Sequence, residues 1–215
     1  MPHHANQTET ELNLSGRNSL ISHPLNEAEM TQIAFRIVRA YGGHINFFRL
    51  MKLFYIVEHE SWKHLSQPAM GGEYFSLEDG PMISEAANAT KPEHADDFKI
   101  WSEFFETIPY KIGNKIKGSE IKIRDGKMAG IDEIPSALLK IIDAVISQTR
   151  CLKNEQLKAI VHDVKRFKEY KQPPTGRRFP IKAEEILEGV GKSPEKIKKI
   201  QAESEEWKKF EAALA

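Results

Sequence analysis

Apolar positions along this chain recur mostly at intervals of three and four. Ile33, Ala34, Ile37, Val38 and Tyr41 form one such face, which predicts a helix beginning at Asn26. Asn26 and Glu29 stand in the N-x-x-E capping arrangement, Leu25 can staple onto Met30, and Gly42-Gly43 stops the helix. The next apolar run is of another kind. Phe47, Phe48, Leu50, Met51, Leu53, Phe54, Tyr55, Ile56 and Val57 are interrupted only by Arg49 and Lys52 before Glu58. Such a helix has no wide polar stripe, so it must lie in the centre of its domain. Asn46 is placed to cap it and Ile45 to pack on Leu50.

Downstream, residues 73–77 (EYFSL) are expected to be extended, and the Asp79-Gly80-Pro81 corner to lead into a short helix near Ser84. Residues 94–107 predict an amphipathic helix with Phe98, Trp101, Phe104 and Phe105 inward. Ile121 and Ile123 alternate, and Asp125-Gly126 has the composition of a two-residue hairpin turn. Pro135 suits a helical first turn, with helix to about residue 148. Asn154 is placed to cap a helix carrying Leu157, Ile160, Val161, Val164 and Phe167, which Pro173-Pro174 breaks. Pro180-Ile181 precedes a short helix over AEEILEGV. Ser193-Pro194 opens a last helix whose seam is Ile197, Ile200, Ser204, Trp207, Phe210 and Leu214. That seam either packs back on the domain, the favoured fate, or presents Trp207 and Phe210 to a partner. The expected fold is mainly α (α+β): a single helical domain around a buried central helix, with one small antiparallel hairpin. Its expected parts are a disordered leader over 1–23, the domain over 24–191 and an amphipathic helix over 192–215.

Composition narrows the class. With 215 residues, 40% of them hydrophobic, the chain can bury a sizeable core without staples. The one cysteine, Cys151, excludes an internal disulfide framework and suits a reducing compartment. No apolar run reaches a membrane span, and the first twenty residues lack a signal-peptide pattern, so a cytoplasmic location is expected. The formal net charge of zero conceals a sorting. Residues 56–106 hold eleven acids against three lysines, and residues 107–182 hold seventeen bases against eight acids. Either the protein has an acidic and a basic face, or the two blocks intermix in space.

No constellation for catalysis stands out. His59 and His64 are five apart, and Lys63 occupies the place where an H-E-x-x-H helix needs its second histidine. His3 and His4 belong to the leader. G-x-S-x-G, Cys–His and phosphate-loop signatures are all missing. The expectation is no catalytic residue, no metal, no cofactor and no enzyme. Residues 165–182 interleave cations, among them Lys165, Arg166, Arg177 and Arg178, with Phe167, Tyr170 and Phe179. This is a pattern for phosphate contact and base stacking. The plainer alternative places Phe167 in the core and leaves the cations on a solvated loop, and no helix-turn-helix spacing supports nucleic-acid binding.

Three short stretches carry a family resemblance: Lys52-Leu53-Phe54-Tyr55, then Gly72-Glu73-Tyr74, then Asp79-Gly80-Pro81. Their order and spacing resemble the Panacea domain of SocA-like and phage-associated proteins, over residues 27 to 190. The family usually has His-Gly-Pro-Val at the corner, where this chain has Asp-Gly-Pro-Met. His162 lies in a stretch similar to the family's T-H-x-x-x-x-W, with Val161 and Phe167 replacing the Thr and Trp. The resemblance implies an antitoxin of bacterial or prophage origin that binds a cognate toxin encoded nearby, and for some relatives delivery of the toxin to an AAA+ protease. The rival expectation is a nucleic-acid-binding regulator or a protease adaptor. Gly80 and Pro81 are expected to shape the backbone, with Tyr55, Tyr74 and His162 hydrogen-bonding around them. The expected partner contacts are Glu58, Glu78 and Asp79 on the acidic side, and Lys165, Arg166, Arg177 and Arg178 on the basic side. Trp62 and Tyr74 are the expected aromatic anchors.

Overall fold

The Asn26 side chain accepts from the Glu29 backbone N–H, and helix α1 runs from there over Glu27–Ala40, burying Met30, Ile33, Ala34, Ile37 and Val38. The computed structural model to which this helix belongs describes residues 19–112 and 115–214. Gly42 and Gly43 follow the helix with positive φ and deliver strand β1 (His44–Asn46). Asn46 then accepts from the Arg49 N–H and starts α2, Phe47–Leu65. Twelve of its nineteen residues are buried, including every one from Leu50 to His59, so it is the central element its sequence demands. It packs against α1 and β1, and against the later elements defined below. At about 1.5–3 kcal/mol for each fully buried large apolar side chain, α2 is the largest single contribution to the core.

The remaining elements are β2 (Tyr74–Ser76), β3 (Met82–Ile83), α3 (Ser84–Ala89), a 3-10 turn (Pro92–His94), α4 (Lys99–Phe104), β4 (Phe105–Ile112) and β5 (Lys115–Ile123). They continue with α5 (Ser136–Thr149), α6 (Asn154–Val161), β6 (Phe179–Ile181), α7 (Ala183–Gly189) and α8 (Pro194–Leu214). The protein is mainly α, as its periodicity predicts, with two antiparallel sheets of three strands ordered β1-β5-β4 and β3-β2-β6. In the first, Ile45 lies opposite Ile121; in the second, Tyr74 lies between Ile83 and Ile181. Helix α2 lies against β3, β5, α5, α6 and α7.

Four expectations are corrected. The helix expected over 94–107 is only α4, because Phe105 becomes extended and pairs with Ile123. The hairpin is therefore β4–β5, upstream of Asp125-Gly126. That dipeptide makes a separate turn closed by Lys127 N–H to Arg124 C=O, and residues 113–114 between the strands lie outside the described residues. The helix expected to continue through Val164 and Phe167 ends at Val161. Asp163 accepts from the backbone of Lys165, Arg166 and Phe167, which turns Phe167 into the core and leaves Val164 exposed. Of the leader, residues 1–18, with His3 and His4, lie outside the described residues. Ser19 to Ile21 are fixed on Glu184, and Ser22 exchanges hydrogen bonds with Ser204. The α8 seam is buried at Ile197, Ile200 and Ser204, while Trp207 and Phe210 are exposed.

Candidate functional site

Lys52 projects from the middle of α2 and is buried. Its Nζ donates to the carbonyls of Gly80 at 3.0 Å and Pro81 at 3.1 Å, so the first and last pieces of the sequence motif meet directly. Burial pushes the ammonium down to about 7, against the pull of nearby Asp79 and with a further push from Lys158. Gly80 has a φ of +101°, and a Cβ there would lie 2.7 Å from Val161 Cγ2 and 3.3 Å from the His162 ring. Glycine is required on both counts. The Gly80 N–H closes the turn on Leu77 C=O, which also accepts from the Tyr170 hydroxyl. The His162 ring lies tilted against that of Tyr170, with centroids 4.9 Å apart. Its pKa is lowered, by burial first, with a hydrogen bond to the Asp79 backbone opposing. The Asp79 carboxylate is held by the Lys158 ammonium, which keeps it below its usual range.

The two motif tyrosines serve other carboxylates. Tyr74 donates to Glu58 Oε1 at 2.6 Å and accepts from Trp62 Nε1 at 3.2 Å. The other Glu58 oxygen takes the N–H groups of Ala69 and Met70, each at 3.0 Å. Burial raises the Glu58 carboxyl to about 7, against the lowering effect of these hydrogen bonds. Tyr55 stands edge-on to Tyr74 and donates to Glu169 Oε1 at 2.8 Å. Burial raises Glu169 too, with His59 opposing. Glu60, at the rim, gathers Arg166, Lys63 and His64. Leu53 is core, and the Gly72 N–H binds His23 C=O.

Lys52, Asp79, Gly80, Pro81 and His162 thus form one corner, while Tyr55 and Tyr74 lock a separate polar layer under α2 rather than hydrogen-bonding around that corner. Glu58 and Trp62, expected to face a partner, are fully buried, and Tyr74, the other expected anchor, is 6% exposed. Their polar atoms are used up inside the protein. Phe167 and Tyr170 are likewise buried, so the expected alternation of stacking aromatics with cations does not reach the surface. The acidic and basic blocks pair across space, through Asp79–Lys158, Glu60–Arg166, Glu106–Lys122 and Glu103–Lys127. Glu78, Asp79, Lys165, Arg177 and Arg178 are exposed, and Arg166 is half-buried on Glu60. Among the described residues no group of three or more His, Cys, Asp or Glu side chains could hold a metal ion, and no helix is long and apolar enough to cross a membrane.

Outside the corner lies a cleft of about 490 Å³, walled by Phe47, Phe48, Met51 and Met82, with Lys52 at its base and Glu78, Asp79, Arg177 and Arg178 around it. Sequence reasoning placed the four charged rim residues but missed the apolar wall. The available signal was a helix whose apolar residues continue onto the face that the motif corner covers only in part.

A family model described as "Antitoxin SocA-like, Panacea domain" matches residues 50–168, a span that holds the whole Lys52 corner and both motif tyrosines. No curated protein matches the chain, and no solved structure does.

Proposed function

Since this chain belongs to the SocA-like antitoxin family with the Panacea domain, we propose that it neutralises a cognate toxin, encoded beside it in a bacterial or prophage genome, by direct protein–protein binding in the cytoplasm. The family membership carries this reading. The corner supports it in one respect: Lys52 is committed to holding the backbone of Gly80 and Pro81, and the Asp79 carboxylate to Lys158. That arrangement suits a rigid binding scaffold, and we read the protein as non-enzymatic. Exposed Glu78, Asp79, Lys165, Arg177 and Arg178 are the candidate contacts. Complementary charge there would speed association and select the partner.

Growth rescue tests the reading. The neighbouring open reading frame is expressed alone and then with this protein. Toxicity of the neighbour, rescue by this chain and co-purification of the two are the expected result. A harmless neighbour, or rescue without a complex, overturns direct neutralisation; in the second case a change in toxin half-life on removing the AAA+ proteases would identify a delivery role.

A further inference from the structure

We infer that the cleft outside the Lys52 corner receives a partner segment presenting a large apolar side chain next to a carboxylate. This deepens the antitoxin reading and rests on it for the identity of the partner as a toxin. The cleft's walls and its rim ask for different chemistry in the same ligand. Phe47, Phe48, Met51 and Met82 offer a concave apolar surface, and 490 Å³ holds one large side chain with its adjoining backbone. Aromatic and methionine walls are adaptable and well suited to burying such an anchor.

The charges decide what flanks it. Asp79 is neutralised by Lys158, which leaves Glu78 as the acid at the rim without an ion pair among the described residues. Against it stand two arginines and the buried amine of Lys52. Lys52 uses two of its three N–H groups on backbone carbonyls. Arg177 and Arg178 have no ion pair with any carboxylate among the described residues. The Arg178 guanidinium is held over the Phe75 ring, 4.4 Å from its centroid, so its planar donors are positioned before any ligand arrives. Guanidinium groups take carboxylates through two parallel hydrogen bonds. A basic segment would meet a net positive rim, and a neutral apolar one would leave the two arginines unused.

Selection of short random peptides displayed on phage, using the intact chain as bait, tests this without the toxin. Enriched peptides are expected to place Trp, Phe, Leu or Met beside Asp or Glu. Their affinity, measured by fluorescence polarisation, should fall about tenfold or more for the double variant Arg177→Glu/Arg178→Glu. It should be unchanged for Lys199→Glu on distant α8, and all three proteins should share one melting temperature. Absence of enrichment, enrichment of basic or uncharged peptides, equal binding by the double variant, or competition by a single-stranded oligonucleotide in place of peptides each overturns the inference. The two readings fail separately. A harmless neighbour with acidic peptides still bound removes the antitoxin and keeps the cleft. A double variant that binds and rescues as wild type does removes the cleft and keeps the antitoxin.

Discussion

The Asp79-Gly80-Pro81 corner has two sides that obey opposite rules. On its inner side the Lys52 ammonium holds two backbone carbonyls and Gly80 is pressed against Val161 and His162, with no space for a methyl group. On its outer side an apolar wall is open and Arg177 and Arg178 form no ion pair among the described residues. The inner side lies entirely within residues 50–168, the span that the family model matches, whereas Phe47, Phe48, Arg177 and Arg178 lie outside it. A tightly packed inner side and an open outer side are thus separated by the thickness of one turn.

The sharpest way to break this contrast is Gly80→Ala. Positive φ and a contact of 2.7 Å to Val161 Cγ2 should together cost about 3 kcal/mol, or roughly 6 to 12 °C in a thermal melt. A shift under about 2 °C would mean that the inner side yields, and that the corner is not rigid.

Titration probes the buried polar layer next. The Glu58 carboxyl sits at about 7 in the fold against 4.5 as its ordinary value. Between these values the folded state keeps a proton that the unfolded chain has released, so stability falls as pH rises from 4.5 to 7, by on the order of 3 kcal/mol. Half-buried Glu29, also raised to about 7, first by burial, adds to the same limb with the same sign. Lys52 sits at about 7 against 10.5; there the unfolded chain holds the extra proton, so stability rises again from pH 7 to 10.5. Melts across this range should show a minimum near neutrality, and Glu58→Gln, which mimics the protonated acid, should flatten the acid limb. An unaltered acid limb in that variant would show that Glu58 does not titrate as its burial demands.

The smallest effect is expected outside. Arg177→Glu/Arg178→Glu should change stability by less than about 0.5 kcal/mol, although it should abolish most peptide binding. A large loss of stability would place these arginines with the inner side and erase the distinction.

Much of the frame was legible beforehand because local signals and burial agree there. The Asn26 and Asn46 caps, the Gly42-Gly43 stop and the all-round apolar α2 each have a local cause, and each is found. Failures occurred where a long-range partner overrides the local pattern. Val164 and Phe167 keep helical spacing, yet Asp163 diverts the backbone into a turn. Asp125-Gly126 turns the chain, but β5 had already found β4 upstream and β1 from far earlier. From sequence alone Glu58 belongs on the surface, as a carboxylate normally does. The groups that satisfy it inside, Tyr74 and the 69–70 backbone, lie eleven to sixteen residues away. A helix with no polar stripe leaves its acids nowhere else to go, and that was the unused signal. Of the candidate site, the motif corner was readable as a string of residues, whereas the cleft exists only because the 176–178 loop returns to α2.

That return has a consequence for synthesis. Strand β2 is completed on one side by two residues of β3 and on the other by β6, whose Ile181 pairs with Tyr74. A two-stranded ribbon of this length does not hold by itself. The emerging chain therefore carries α2, apolar on every side, until residue 181 has left the ribosome, and only then do the corner and its arginines take their places. On the antitoxin reading proposed above, a toxin made alongside this chain would meet a binder that matures late, and the nascent chain is the stage at which chaperones would be most needed.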